Sequence, residues 1–153
     1  MGFFDKLKSA AQAVTGGAAK VTLEYQPQVA MAGDAITVKI TCTSTGSEVK
    51  SKGVFVDIRG LEVITVDKNA AANDQAVHAS KNTFEQEFQV APALVLPPNE
   101  TKLFEGSVTL PPTAQPSFRG TYAEHKWEIR GRLEAFGNDP DSGWLPLRVG
   151  AKA

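Results

Sequence analysis

The chain has 153 residues, enough for one folded domain that buries a substantial core. Sixteen lysines and arginines nearly balance seventeen aspartates and glutamates, and the net charge of -1 excludes the strongly basic surface typical of nucleic-acid-binding proteins. The single cysteine, Cys42, cannot form an internal disulfide, which favours a reducing compartment.

The N-terminal region lacks the pattern of a signal peptide. Lys6 and Lys8 are followed by SAAQAVTGGAAK, which is too polar and too rich in glycine to be an apolar signal core. No apolar run approaches the roughly 18 residues that span a bilayer. We therefore expect a soluble, cytoplasmic protein.

Residues 3–14, FFDKLKSAAQAV, carry apolar side chains at the spacing of one helical face. A pair of glycines follows and ends this predicted helix, because glycine adopts the left-handed conformation of a helix C-terminus without a clash. The predicted organisation is an amphipathic helix and glycine link over residues 1–18 and one sandwich domain over residues 19–153. The apolar stripe of the helix is the predicted partner-binding element, formed by Phe3, Phe4, Leu7 and Val14.

Three kinds of surface are candidates for covering this stripe, because a short helix is marginally stable alone. Packing against the chain's own domain comes first. Docking to a partner protein or self-association with a second copy comes next. A membrane surface is third, since Asp5 counters Lys6 and Lys8 and leaves little attraction for anionic lipid.

From residue 20 onward the apolar period changes to two, which indicates β-strands. The clearest case is Ile36, Val38, Ile40 and Cys42, which alternate with polar residues. Residues 69–82, NAAANDQAVHASKN, have few large apolar side chains and are predicted to form an exposed connection. About eight strands without intervening helical patterns predict an all-β antiparallel sandwich. The other predicted strands are KVTLEY, KGVFVDIRG, LEVITVD, TFEQEFQV, LFEGSVTL, TYAEHKWEIRGRLEAF and WLPLRV.

Few residues are candidates for chemistry. Cys42 is predicted to be a core thiol, and a nucleophilic role is the weaker hypothesis. His125 lies in an alternating apolar strand and is predicted to be a hydrogen-bonded structural residue, whereas His78 is predicted to be solvated. Asp139 and Asp141 lie in GNDPDSG, which lacks EF-hand spacing. A turn is the preferred interpretation there, with cation binding as the alternative.

The sequence contains no phosphate-binding loop, no GxSxG elbow, no GxGxxG fingerprint and no HExxH pattern. Carboxylates scattered over strands can hydrolyse glycosides, but Glu85, Glu87, Glu124 and Glu128 also suit solvated strand faces. We therefore predict a protein that is not an enzyme and has no catalytic residues, cofactor or metal.

Two segments resemble the arrestin family. AMAGDAITVKITCTSTGSEVKSKGVFVDIRGLEV is similar to an arrestin-type first hairpin, with a Gly-Asp turn, an alternating strand, a turn and a second strand. TLPPTAQPSFRGTYAEHKWEIRGRLEAF resembles the arrestin pattern of Leu-Pro, a Pro-Ser-aromatic-x-Gly turn, Tyr and a long strand. The resemblance covers roughly residues 20 to 149 and implies an immunoglobulin-like sandwich. The N-terminal FF followed by lysines is similar to the bacterial sporulation-control arrestin-like proteins.

Two departures limit what the resemblance implies about function. Complete arrestins carry two sandwich domains, whereas this chain has the length of one, and Lys20 stands alone where a basic pair precedes the first strand. Recognition of a phosphorylated receptor needs several convergent cationic donors and is therefore not implied. What the family implies is an adaptor or scaffold.

The sequence predicts a non-catalytic cytoplasmic module that binds another protein. The alternative is a carbohydrate-binding or carbohydrate-processing sandwich, in which exposed Trp144 or Tyr122 stacks on a sugar and Asp139 or Asp141 binds it or a cation. An array of exposed aromatic residues would distinguish the second function from the first.

Overall fold

The computed structural model describes residues 14–15, 19–67, 75–135 and 139–151, with the backbone alone for 14–15. All regular structure in these ranges is β, and they contain no helix that could cross a membrane. The strands are β1 Val14–Thr15, β2 Ala19–Gln26, β3 Val29–Ala30, β4 Ala35–Ser44, β5 Val49–Val66, β6 Val77–Ala91, β7 Leu94–Leu96, β8 Thr101–Thr109, β9 Phe118–Arg119, β10 Ala123–Ala135 and β11 Leu145–Val149.

The strands form two sheets that pack face to face. The small sheet has the order β1-β2-β4-β8, and the large sheet has the order β3-β11-β10-β5-β6, with β7 added to β5 and β9 added to β10. All pairs are antiparallel except β3 with β11. For the described residues, the prediction of an all-β fold with two layers of sheet is confirmed.

The core lies between the inner faces of the two sheets. In β4 the alternating residues Ile36, Val38, Ile40 and Cys42 are fully buried, as their period-two spacing predicts. The large sheet contributes every second residue of β5 and β10, and these side chains are also buried: Val54, Val56, Ile58, Trp127, Ile129 and Leu133. Trp127 lies at one end of this core and donates a hydrogen bond from Nε1 to the carbonyl oxygen of Gln115 at 2.7 Å.

Two connections predicted from the sequence are wrong. KGVFVDIRG and LEVITVD form one strand of 18 residues, β5, rather than two. Residues 77–82, assigned to an exposed connection, extend β6 and pair with the second half of β5. Their side chains are all exposed, because this part of the hairpin projects beyond the sandwich. With neither face buried, the segment has no alternation for a period-two search to detect.

The N-terminal region differs from its prediction at the one position where it can be compared. Val14, expected on the last turn of the helix, lies in β1 and pairs with Val21. The remainder of the predicted stripe, Phe3, Phe4 and Leu7, lies outside the described residues.

Of two glycines in turns that the sequence marked, Gly33 has a positive φ and Gly120 does not. Gly33 adopts a φ of 85°, in the left-handed region that the Gly-Asp turn requires. The turn in PSFRG predicts a glycine with a permissive, positive φ at Gly120. That prediction is wrong, because among the described glycines only Gly33, Gly46, Gly53 and Gly143 have a positive φ. Gly120 instead donates its backbone N–H to the carbonyl oxygen of Ala123 at 2.7 Å.

Replacing Trp127 by alanine is expected to lower the free energy of unfolding by about 3–5 kcal/mol. The side chain is 2 % exposed, and its removal leaves a cavity and an unpaired Gln115 carbonyl. Urea denaturation measures the effect. Leu103→Ala is the control, since that side chain is 50 % exposed and its loss should cost within about 0.5 kcal/mol. An unchanged urea midpoint for Trp127→Ala would contradict the core assignment.

Candidate functional site

The outer face of the large sheet carries a cluster of charged side chains. Because side chains alternate along a strand, the residues of β5 between Val54, Val56 and Ile58 point away from the core. The register between β5 and β10 places Asp57 opposite Arg130 and Arg59 opposite Glu128, while Arg132 lies opposite Phe55. Opposite charges therefore face each other across the two central strands.

Asp57 is the centre of this cluster. Its Oδ2 accepts hydrogen bonds from Arg130 Nε at 3.1 Å, Arg130 Nη2 at 2.8 Å and Arg132 Nε at 2.9 Å, and its Oδ1 accepts one from Arg132 Nη2 at 3.3 Å. The Asp57 side chain is only 12 % exposed. Two guanidinium groups thus compensate the burial of this carboxylate, as a buried charge requires.

Arg132 connects Asp57 to the rim of the cluster. It donates to Glu87 and lies 3.7 Å from Asp139. Burial lowers the pKa of Arg132, but the hydrogen bond and charge of Asp57, together with the charges of Glu87 and Glu134, outweigh burial and raise the pKa above its ordinary value. Arg132 therefore stays a cation that holds three carboxylates together.

Asp139 and Asp141 line the same cluster from the segment before β11. Asp139 Oδ1 accepts the backbone N–H of Ala135 at 3.1 Å, and Asp141 Oδ1 accepts that of Gly143 at 2.7 Å. Backbone hydrogen bonds of this kind support the turn interpretation. Within the described ranges no group of three or more His, Cys, Asp or Glu side chains is arranged to hold a metal ion.

Trp144 packs against the arginines of the cluster. The guanidinium carbon of Arg59 lies 3.9 Å and that of Arg130 4.4 Å from the ring centroid, within the range of cation–π attraction. Arg59 also donates to Glu128 Oε1 from Nε at 3.2 Å and from Nη2 at 3.0 Å. The ring therefore fixes two cationic side chains that their carboxylate partners already orient.

These groups line an open cleft with a volume of about 500 Å³, which we call the charged cleft. Its lining contains five carboxylates but only two guanidinium groups, so it carries an excess of negative charge. The buried part is fully paired, whereas the Glu87 and Asp139 side chains are 55 % and 42 % exposed. The lining residues are Asp57, Glu85, Gln86, Glu87, Arg130, Arg132, Asp139, Asp141 and Trp144.

The other chemical candidates have structural environments. Cys42 is fully buried, and burial raises the pKa of its thiol to about 12. His125 is 2 % exposed, donates from Nδ1 to the Pro116 carbonyl oxygen at 3.1 Å and places Nε2 2.7 Å from the Thr83 hydroxyl. His78 is exposed and lies 3.3 Å from the Thr65 hydroxyl.

Sequence reasoning missed the paired centre of the charged cleft. It named Trp144 and four of the five lining carboxylates, but it did not bring them together with Asp57 or Arg132. The available signal was the alternation of charged with buried residues along β5 and β10, which places the charges on one outer face. The partner across the strands depends on register, which alternation alone does not specify.

The fold is similar to that of a solved bacterial protein. The crystal structure of Spo0M, sporulation control protein, from Bacillus subtilis matches with a TM-score of 0.65 over 89 % of this chain at 17 % sequence identity. The match covers 51 % of the Spo0M chain, so this chain spans about half of its length. The resemblance to the bacterial sporulation-control arrestin-like proteins is thus confirmed at the level of the fold. No protein-family model and no curated protein sequence matches the chain.

Asp57→Ala is expected to lower the free energy of unfolding by about 3–5 kcal/mol, because it leaves Arg130 and the more buried Arg132 without their shared carboxylate. Urea denaturation at neutral pH measures the loss. Glu85→Ala is the matched control on the same outer face: its side chain is exposed, so the change should stay within about 0.5 kcal/mol. Equal small effects for both variants would show that Asp57 does not organise the cluster.

Cys42 is expected to resist a thiol reagent at pH 8 in the folded protein and to react promptly in urea. The thiolate is the reactive form, and the thiol ionises at about 8.5 in an unfolded chain but at about 12 in the fold. The unfolded state therefore releases this proton first, and stability falls as the pH rises above about 8.5. In Cys42→Ala the fall between about pH 8.5 and 10 should be shallower. Fast labelling of the folded chain would contradict this environment.

Proposed function

We propose that the chain is a non-catalytic protein-interaction module of the arrestin-like type, and that the charged cleft is its partner-binding surface. The observation that carries this proposal is the distribution of charge in the cleft. Its guanidinium groups are held by Asp57 and its neighbours, whereas carboxylates at the rim remain exposed. A partner with lysine or arginine side chains therefore meets a net negative charge at the exposed rim of the cleft. The buried ion pairs hold the groups beneath this rim in place.

The paired interior of the cleft favours binding over catalysis. A general acid or base has to gain or lose a proton during turnover, but each carboxylate oxygen of Asp57 already accepts hydrogen bonds from guanidinium groups. The pKa of Arg132 is raised further above the range useful for proton transfer. What such a network does well is to hold the surface rigid, so that a partner binds without first ordering it.

The rim groups suit a partner that is basic. Glu85 and Glu87 come from β6, and Asp139 comes from the segment before β11, so the exposed carboxylates lie on two sides of the cleft. Complementary charge accelerates association and selects against acidic competitors. Trp144 lies between these sides and supplies apolar contact area, as aromatic residues commonly do at the centre of interfaces.

In this proposal the chain acts as a cytoplasmic adaptor or scaffold, and its similarity in fold to Spo0M is one reason for that choice. That protein is described as a sporulation control protein, which is a regulatory rather than a metabolic description. Sandwich folds host unrelated functions, so the role of this chain rests on its own surface.

A carbohydrate-binding role has less support. Trp127, one of the two tryptophans, is buried in the core, and two guanidinium groups pack on the ring of the other, Trp144. Tyr122 is exposed but lines a separate cleft with Val63 and Thr65. Among the described residues these aromatic side chains form no common platform for stacking on a sugar.

Glu85→Lys is expected to reduce capture of the native partner by tenfold or more, because it replaces an exposed rim carboxylate by a positive charge. Tagged wild-type protein and variants are used to capture proteins from the native cell, and the bound proteins are quantified by mass spectrometry. Binding by the wild type should also weaken as salt is raised, since the rim charges are solvent-exposed.

The matched control is Glu105→Lys, which makes the same charge change at an exposed position on β8 of the small sheet. Both variants should keep the wild-type urea midpoint. Proteins that bind the wild type and Glu105→Lys but not Glu85→Lys support the proposal. Capture that is equal for all three, or a purified chain that binds a glycan array at Trp144, would refute it.

A further inference from the structure

The outer face of the large sheet carries a second set of charged side chains, near the start of β10. Lys126 lies between two buried residues of β10, and Arg148 lies between two buried residues of β11, so both side chains point outward. Arg119 of β9 pairs with Glu124, two positions before Lys126, and points the same way. These three cations therefore share one face with Asp57 and the rest of the charged cleft.

The three cations line an open groove with a volume of about 590 Å³. The lining contains Arg119, Lys126 and Arg148 but one carboxylate, Glu124, so it carries an excess of positive charge. The three cationic residues are exposed, and no ion pair joins any of them to another residue in the described part of the chain. We call this surface the basic groove.

The outer face is therefore polarised, with the charged cleft at one end and the basic groove at the other. Lys126 of the groove and Arg130 of the cleft are four residues apart on β10, which is about 14 Å along the strand. This separation exceeds the screening length of about 8 Å at physiological salt, so a partner in contact meets two distinct charges. Lys50 and Lys52, at the start of β5, line neither surface.

The middle of the same face is neutral and partly apolar. Arg59 and Glu128 form an ion pair there at 3.0 Å, so their charges cancel. Leu61 and Pro146 flank β10 on either side of this region, since each pairs with one of its outward residues, and Trp144 packs on Arg59. A neutral centre with apolar side chains between charged ends is typical of protein interfaces.

A second copy of the chain matches this face when it is turned end for end. A two-fold axis between two such faces, perpendicular to the line from the basic groove to the charged cleft, places each cleft over the groove of the other copy. The same contact is then made twice. Two copies that face each other without this reversal bring like charges together, which disfavours that arrangement. The charge pattern therefore selects one way of pairing.

Building on the function proposed above, on which this inference rests, we propose that the basic partner of the charged cleft is a second copy of this chain. The basic groove of each copy binds the charged cleft of the other. Because the matched charges are exposed, the contact is weak, reversible and sensitive to salt. The charges that meet are Glu85, Glu87 and Asp139 of one copy and Arg119, Lys126 and Arg148 of the other.

Analytical ultracentrifugation of the purified full chain at low salt tests this pairing. The expected result is a monomer–dimer equilibrium that shifts to monomer as salt is raised. Glu85→Lys and Lys126→Glu should each raise the dissociation constant by about tenfold or more, because each sets like charges together at both contacts. The controls Glu105→Lys and Lys20→Glu make the same charge changes at exposed positions of the small sheet and should leave the constant unchanged.

Combining the two charge reversals separates a lost contact from a damaged fold. A mixture of the Glu85→Lys chain with the Lys126→Glu chain should form dimers again, because the new lysine of one copy meets the new glutamate of the other. The second contact of this mixed dimer keeps its native charges. One chain that carries both substitutions should also self-associate. Structural damage caused by either substitution would not be reversed by the other.

A chain that stays monomeric at low salt up to about 1 mM overturns the inference, as does association that neither reversal weakens or that the mixture does not restore. These outcomes leave the proposed function standing if capture of another protein still depends on Glu85. Lys126→Glu changes no carboxylate of the charged cleft, so a different basic partner would be captured normally by this variant. Equal capture by the wild type and Glu85→Lys would instead refute the proposed function itself.

Discussion

The pairing of β5 with β10 is the constraint on which both faces of the protein depend. Twelve residue pairs, from Ala123 with Ile64 to Glu134 with Gly53, hold the two central strands in one register. Because side chains alternate, this single ladder places Ile129 in the core and Arg130 opposite Asp57 on the outer face. A slip of one residue would drive the arginines into the core. The core and the charged cleft are therefore two consequences of the same register.

The charged cleft separates structural ions from ions available to a partner. Asp57 and Arg132 are almost inaccessible, and their mutual hydrogen bonds offset the cost of burying both charges. Glu85 and Glu87 stand at the exposed rim on β6. A rigid interior with a charged rim is an arrangement suited to selecting a partner by charge. This division motivates the proposed role in protein interaction.

Local patterns predicted the layers of the fold but not the groupings that depend on pairing. The spacing of Ile36, Val38 and Ile40 predicted a buried strand face, because burial against a second sheet imposes a period of two on the apolar residues. The projecting end of the β5–β6 hairpin buries neither face, so nothing in residues 77–82 revealed a strand. Val14 lies in β1. The sequence did not reveal this, because a two-residue strand is too short to alter an apolar pattern that also fits a helix.

The candidate site was less predictable than the fold for a related reason. Asp57 and Arg132 are 75 positions apart, and only the β5–β10 register brings them together. Each looks like an ordinary solvated strand residue in the sequence. The arrestin-like resemblance, carried by two segments, agreed with the sandwich predicted from the strand pattern, but it assigned no role to any residue of the charged cleft.

Hydrogen–deuterium exchange of the chain bound to its captured partner tests the proposed function most directly. Binding at the charged cleft should slow exchange in residues 85–87 and 139–144, which form the rim, while β8 of the small sheet exchanges at the same rate as in the free chain. Protection confined to β8, or to the loops away from the rim, would show that the partner binds elsewhere and would contradict the account of the cleft.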